Sequence, residues 1–314
     1  MKYLVIGAGG TGGAIGGFLT RAGKDVTIIA RGRHLEQMRL HGLCFETPGE
    51  HFTVPVKACT MEEYTDRHSG QIPDVIFVCV KGYSLTDTVP FIEKVADAHT
   101  VVIPILNIYG TGKKMQELLP HIHVTDGCIY IASQIKEPGV ILMSGSIFRV
   151  VYGLRKGTSD NIRAAVQPVL EKVRQDLEEA NITPLLSEQI EKDALQKFSF
   201  VSPMAAVGAG YHITARNMQT GGAFADIYIR LVQEIKALSD AMDLSLPTDI
   251  ADINLKIINC LAPDATASMQ RDIQDGKPSE VDGLVYEVVR MGEAYGVPVP
   301  TYAMIADKLR ADLS

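Results

Sequence analysis

Tryptophan is absent from the 314-residue sequence, and aromatic residues of all kinds make up only 6%. Phe and Tyr are too scattered to build a platform on which nucleic-acid bases could stack. Positive charge is also short: 30 Lys and Arg against 37 Asp and Glu leave a formal charge of −7. No clustered basic face of the kind that engages phosphate backbones is legible, so nucleic acid is not expected as a partner. Long apolar runs are missing as well. The nearest, Val101 to Tyr109, falls far short of the ~18 residues of a membrane span and contains Pro104 and Asn107. A signal peptide is not expected either, because glycines crowd positions 7–17, where an apolar h-region would run. The five cysteines, Cys44, Cys59, Cys79, Cys128 and Cys260, form no CxxC pair and no metal-ligand pattern. An odd, scattered set argues for reduced thiols in a cytoplasmic protein with no metal site. His121 and His123 offer no third ligand and do not change that.

What is present is apolar and periodic. Hydrophobic residues make up 46% and charged residues 21%, enough for a large core. At roughly 150 residues per domain the length suggests two domains. In the first half, short Val- and Ile-rich runs (Lys2–Ile6, Val26–Ala30, Val75–Val80, Val101–Leu106) alternate with helical patterns at Thr11–Ala22, His34–His41, Ser84–Val95 and Thr111–Leu119. That rhythm predicts a doubly wound, Rossmann-type α/β sheet. From Val124 to Tyr152 the pattern turns to strands broken by Pro138-Gly139 and Gly145, predicting an antiparallel extension of the same sheet. A helix over Ser159–Ala180 and a strand over Ile182–Leu186 close this part. After Ser187 strand signal vanishes, and Phe224–Met242, Asp249–Leu261, Val281–Tyr295 and Tyr302–Leu313 carry helical spacing. The expected domains are therefore 1–186, α/β, and 187–314, all-α.

Gly7-Ala8-Gly9-Gly10-Thr11-Gly12 fits GxGxxG, follows a buried-strand run and opens a helix. In that setting the first glycine makes the tight turn, the second admits a pyrophosphate and the third lets helix and strand pack. The second strand ends with Arg31 and Arg33, where an NAD-binding chain would place an acidic residue. A guanidinium can instead bind a 2′-phosphate, which favours NADPH. Arg33 reads equally well as a solvated loop residue. Lys81 and Asn107 each follow a predicted parallel strand at its C-terminal end, where ligands bind in open α/β sheets. Lys197 lies on a helical stripe with Ile190, Ala194 and Val201. It is either a lysine snorkelling past a packed face or a proton donor facing a cleft. Glu280, with Ser279 and Asp282 as a capping pair, can equally be a first-turn residue that complements a helix dipole.

Together these residues resemble the ketopantoate reductase (2-dehydropantoate 2-reductase) family, over nearly the whole chain. Gly7–Gly13 with Arg31, Val80-Lys81-Gly82 and Asn107 are similar to its cofactor half. Ser268-Met269-Gln270-Arg271-Asp272 followed by Gly276-Lys277-Pro278-Ser279-Glu280-Val281-Asp282 resembles the family's S-M-x-x-D…G-[KR]-x-[ST]-E-[IV]-D signature. Leu195-Gln196-Lys197-Phe198 is similar to its W-x-K-[LF] step, with Leu195 replacing the aromatic residue. The resemblance implies Lys197 as the general acid and Glu280 as the group that orients substrate or lysine. Ser268 and Asn107 would hydrogen-bond substrate, Asn107 also lying near the nicotinamide. Gly7, Gly9, Gly10, Thr11, Gly12, Arg31 and Lys81 would hold NADP(H), and the substrate would lie in a cleft against the helical domain. Two positions depart from the pattern: Val201 stands where the family has a substrate-contacting asparagine, and Asn107-Ile108-Tyr109-Gly110 replaces its N-G step. The implied activity is NADPH-dependent reduction of 2-dehydropantoate to pantoate, towards pantothenate and coenzyme A. Reduction of another branched 2-oxoacid, or NADP(H) sensing without turnover, are the alternatives. A small 2-oxoacid is the expected partner, and a homodimer is compatible with the sequence.

Overall fold

The computed structural model describes residues 1–67 and 71–313. It divides into two compact units, one of Met1–Leu106 with Gly110–Ile190 and the other of Asn107–Tyr109 with Glu191–Ser314. The first unit begins with β1 (Lys2–Ile6), α1 (Gly10–Arg21), β2 (Asp25–Ile29), α2 (Gly32–His41), β3 (Leu43–Glu46), β4 (His51–Val54), β5 (Lys57–Cys59) and α3 (Met61–Arg67). It continues through β6 (Val75–Val78), α4 (Val89–Val95), β7 (Val101–Pro104), α5 (Thr111–Leu118), β8 (His123–Val124), β9 (Asp126–Glu137), β10 (Val140–Gly153), α6 (Asp160–Glu179) and β11 (Thr183–Leu186).

Six of these strands form a wholly parallel sheet in the order β5-β2-β1-β6-β7-β8. Its central residues, Leu4, Val5, Ile76, Phe77 and Val102, have no exposed surface. Covered on both faces, such strands read as unbroken apolar runs. Ile6 sits opposite both Ile29 and Val78, so β1 has neighbours entered from opposite directions of winding. That is the topological switch point of the sheet.

The antiparallel strands do not extend this sheet. β9 and β10 belong to a second sheet, ordered β11-β10-β3-β4 with β9 on the other edge of β10. β10 pairs in parallel with β3 through Val140–Leu142 and with β11 through Arg149–Tyr152. The departure begins at Asp126, whose carboxylate accepts the Gly112 amide at 2.9 Å and meets the Arg155 guanidinium at 3.0 Å. At Gly127 a Cβ would lie 2.8 Å from Ile105 Cδ1, so only glycine lets the chain pass β7 so closely. The β3–β4 hairpin, absent from the sequence expectations, is four residues a side and turns at Thr47, whose amide and hydroxyl both reach the Glu50 carbonyl.

Helix α1 lies between the two sheets. Cβ atoms added at Gly12 and Gly16 would strike Gly7 O and Ile28 of the parallel sheet, at 1.9 and 2.7 Å. On the opposite side, Cβ atoms at Gly10, Gly13 and Gly17 would meet Ser133 O, Ile141 and Phe45 of the second sheet, at 2.6, 3.1 and 2.3 Å. Phe18 completes that layer, with ring centroids 5.4, 5.6 and 5.2 Å from Phe45, Phe52 and Phe148, all edge-on.

The second unit is helical from α7 (Ile190–Tyr211) through α8 (Ala215–Gln219), α9 (Ala223–Ala241), α10 (Ile250–Asn259), α11 (Ser268–Gln274), α12 (Glu287–Tyr295) and α13 (Pro300–Leu313). A π-helical turn, Asp282–Tyr286, leads into α12. Residues 202–210 of α7 are all buried, as befits a central helix. The Glu234 carboxylate, on α9, accepts the Thr301 and Tyr302 amides at 2.7 and 3.0 Å and so closes the N-terminus of α13. Among the described residues, no helix is long and apolar enough to cross a membrane.

In the first unit Tyr3 and α6 are joined through Asp176, a buried carboxylate that accepts the Tyr3 hydroxyl at 2.6 Å and the ammoniums of Lys24 and Lys172 at 2.8 Å. Burial alone raises its pKa, but hydrogen bonds from Lys172, Lys24 and Tyr3 overcome that and hold it at about 2. A depressed carboxyl contributes stability that is full above its unfolded pKa near 4 and is lost as pH falls through about 2. Asp176→Asn should therefore lower unfolding free energy at pH 7 by about 2 kcal/mol in urea titrations. The gap between variant and parent should narrow as pH falls from 4 to 2.

Candidate active site

The candidate residues of the first unit gather at the C-terminal edge of its parallel sheet. Gly7 directly follows β1, with a φ of +101° that suits glycine and an amide that donates to Ile29 O at 3.1 Å. Gly9 is the extended residue before α1, and space is open within 4 Å of where its Cβ would be. Gly13 is the first amide of α1 with a carbonyl partner in the preceding turn, Gly9 O at 2.7 Å. The amides of Gly10, Thr11 and Gly12 thus head the helix, which has no side-chain cap and no acidic residue in its first turn. Positive dipole end, glycine clearance and absent carboxylate together suit a phosphate.

Arg31 is exposed, two residues beyond β2, in extended conformation at the N-cap of α2. Arg33 follows in the first turn and is also exposed. Lys81 is half-buried and extended, opening a 3₁₀ turn at Gly82–Ser84. The chain between β6 and Lys81 is tied to β1 by the Cys79 amide, 2.8 Å from Ile6 O. The Cys79 side chain lies beside Gly12, its Cβ 2.8 Å from where a Cβ on that glycine would be, and burial pushes its thiol pKa up.

His34 is a residue of this edge that sequence reasoning did not single out. Its Nδ1 accepts the Gly139 amide at 2.9 Å, joining α2 to the β9–β10 turn. Burial lowers its pKa, opposed by the Ala8 carbonyl of the glycine loop.

The second unit holds the other candidates. Lys197 is 7% exposed, so its ammonium is inside the protein and does not snorkel to the surface. Nζ donates to Asn107 Oδ1 at 2.6 Å. Two residues on, Tyr109 packs its ring 6.1 Å from Phe198, and Ile108 occupies the space where Gly283 would carry a Cβ, 2.3 Å from Ile108 Cδ1. The strip Asn107–Tyr109 is thereby seated on α7 and on the π-helical turn. Glu280 is 5% exposed and lies two residues before that turn, its carbonyl accepting the Leu284 amide at 2.9 Å. Ser268, half-buried, is the first residue of α11. Asp282 pairs with Arg290 at 2.9 and 3.0 Å, the forked geometry of a guanidinium on a carboxylate, in place of the capping role expected of it. Val201, four residues beyond Lys197, is half-buried against the helical core.

Comparisons with known proteins bear on the family and the fold. The model of the family ketopantoate reductase PanE/ApbA matches residues 3–157, and that of its C-terminal part matches residues 189–312. A 2-dehydropantoate 2-reductase from Aquifex aeolicus (strain VF5) is 26% identical over 315 residues, covering 99% of this chain and 96% of the relative. The crystal structure of a PanE/ApbA family ketopantoate reductase from Ralstonia eutropha JMP134 has a TM-score of 0.84 at 24% identity, covering 99% of this chain and 98% of that one. A D-mandelate dehydrogenase solved with NADH and anilino(oxo)acetate has a TM-score of 0.84 at 19% identity, with coverage of 99% and 98%. The two structures speak for the fold. A Rossmann-type unit followed by a helical one, matched in both halves, defines an oxidoreductase. The chain belongs to the ketopantoate reductase family.

Because a Cβ at Gly12 would lie 1.9 Å from Gly7 O, Gly12→Ala must push α1 away from β1. Overpacking of this kind costs about 1–3 kcal/mol, and here it also misplaces the first-turn amides. Thermal unfolding should show the lower stability, and dinucleotide titration the weakened binding. Gly9→Ala, with open space at that position, should leave stability unchanged.

Proposed function

We propose that the protein uses NADPH to reduce 2-dehydropantoate to pantoate, with residues 1–186 as the cofactor domain and 187–314 as the substrate domain. The observation that carries this reading is the buried Lys197 ammonium held on Asn107 Oδ1. A cofactor-binding protein without turnover has no use for a desolvated ammonium, which is costly to bury. The family match supports reduction as the chemistry and the Aquifex aeolicus relative supports the substrate.

The glycine loop fits a dinucleotide: Gly7 turns the chain, Gly9 leaves room for the pyrophosphate and the Gly10–Gly12 amides face it. Arg31 meets a 2′-phosphate, and Lys81 adds a second cation at the same edge. A bound reduced nicotinamide supplies the hydride. Lys197 gives its proton to the ketone oxygen as negative charge develops there, with Asn107 Oδ1 fixing the direction of Nζ. The Ser268 hydroxyl hydrogen-bonds the substrate, and Glu280 orients the substrate or the lysine.

Val201 favours a second reading, reduction of a different branched 2-oxoacid, because an apolar side chain there offers no partner to a substrate hydroxyl. The deciding experiment is NADPH oxidation with a panel of 2-oxoacids. Highest kcat/KM with 2-dehydropantoate supports the proposal, whereas a clear preference for 2-oxoisovalerate supports the second reading. Turnover with none, despite tight NADPH binding, leaves a sensor.

Arg31→Ala should weaken NADPH binding by about 1–3 kcal/mol and leave NADH nearly untouched, as isothermal titration would show. Equal losses for both cofactors would remove the 2′-phosphate from its role. Lys197→Ala should lower kcat by about 10²–10⁴-fold in steady-state assays, with NADPH affinity unchanged. Near-normal kcat in the folded variant would transfer the proton donation to water or another side chain.

A further inference from the structure

The π-helical turn Asp282–Tyr286 is held from outside by two hydroxyls. Ser202, fully buried on α7, has Oγ 2.6 Å from the Leu284 carbonyl and 2.6 Å from the Tyr302 hydroxyl. The carbonyl can only accept, so the single Ser202 proton goes to Leu284, and Tyr302 must donate to Ser202. Burial keeps the Tyr302 phenol well above its ordinary pKa, so its proton stays in place. The result is a one-way chain, Tyr302 to Ser202 to Leu284, joining α13, α7 and the wide turn.

A π-helical turn interrupts the regular i→i−4 ladder, here through the Glu287 amide bonding back to Asp282 O. Such a turn persists where something outside it favours the wide form. The Ser202 contact falls inside it. On one side of the turn lies Glu280, and within it lies Gly283, the seat of Ile108, next to Asn107. Ser202 is five residues from Lys197 on the same helix. The helix that carries the buried ammonium therefore also grips the segment that carries the buried carboxylate.

We propose that Ser202, with Tyr302 behind it, is a positioning residue that keeps the Asp282–Tyr286 turn wide and thereby sets Glu280 and the Asn107 strip relative to Lys197. The structural part stands alone, and its catalytic consequence rests on the reading of Lys197 and Glu280 given above.

The test combines crystal structures with kinetics on the full-length chain. In Ser202→Ala, residues 282–286 should tighten to α-helical pairing and Glu280 should shift relative to Lys197. The kcat/KM for the best 2-oxoacid should fall, by up to about 100-fold if the shift approaches 1 Å, while NADPH affinity is unchanged. Glu280→Gln should abolish most of the Ser202→Ala effect, since a residue acting through Glu280 loses its influence once the carboxylate is gone. Tyr302→Phe, which leaves the Ser202 donor in place, should show the same changes to a smaller extent, and it serves in place of Ser202→Ala if that variant fails to fold. A wide turn retained in the variant, an unmoved Glu280, or losses that multiply fully in the Glu280→Gln background would each overturn the proposal. If the parent protein reduces no 2-oxoacid, the functional reading fails, and the crystallographic comparison alone then decides whether the hydroxyl chain holds the turn.

Discussion

Close approach of backbone to backbone at helix α1 is the constraint on which the first unit depends. A helix laid on one sheet needs one small face, whereas α1 has a sheet on each side. Gly12 and Gly16 serve one layer, and Gly10, Gly13 and Gly17 serve the other. Glycine is a poor helix former, by about 1 kcal/mol per residue relative to alanine. Five of them in twelve positions persist only because the burial on both sides outweighs that cost. The same thinness brings the first turn of α1 against Gly7, so packing and the proposed phosphate cradle draw on one set of residues. Selection for either property would maintain the other.

In the second unit the corresponding constraint is polar. An ammonium, two carboxylates and several hydroxyls and amides are buried among helices, where an unpaired polar group is costly, and among them the Tyr228 hydroxyl is left without a partner. Lys197 has Asn107, Ser202 has Leu284 and Tyr302, and Asn254 donates to the Ser199 carbonyl at 3.0 Å. These contacts point in fixed directions, which apolar packing does not. The 2-oxoacid proposed as substrate would need such directionality, because hydride and proton would have to arrive at adjacent atoms of the same bond.

The parallel sheet was legible because strands buried on both faces read as continuous apolar runs, and β1, β2, β6 and β7 do so. The glycine fingerprint was legible because all its parts lie within six residues. The second sheet was not, since β3 and β4 are too short for a periodic signal and β10, the strand that β3 joins, is nearly a hundred residues away. The alternation in β9 and β10 correctly marked a hairpin but carried no information on which edge it would join. A doubled glycine rhythm in α1, one series offset from the other, was the available clue. In the helical unit, the stripe Ile190, Ala194, Lys197, Val201 put the lysine among apolar residues without deciding whether its ammonium snorkels to the surface or stays inside. Its partner Asn107 lies 90 residues earlier, and no local pattern reports that pairing. Family resemblance supplied the proposed roles of Lys197 and Glu280, which periodicity left open.

The edge of β10 that takes β3 at one end and β11 at the other has a consequence for biosynthesis. β3 is made early, but the sheet it belongs to lacks its central strand until Gly153 is translated and lacks β11 until Leu186 is. Tyr3, at the very start, waits for Asp176. A nascent chain therefore exposes one flank of α1 through the synthesis of nearly half the protein, with the phenylalanines of that flank lacking Phe148. Non-local pairing of this kind folds slowly and leaves a window for aggregation. The chain emerging from the ribosome, more than the finished enzyme, is where a chaperone's help would matter.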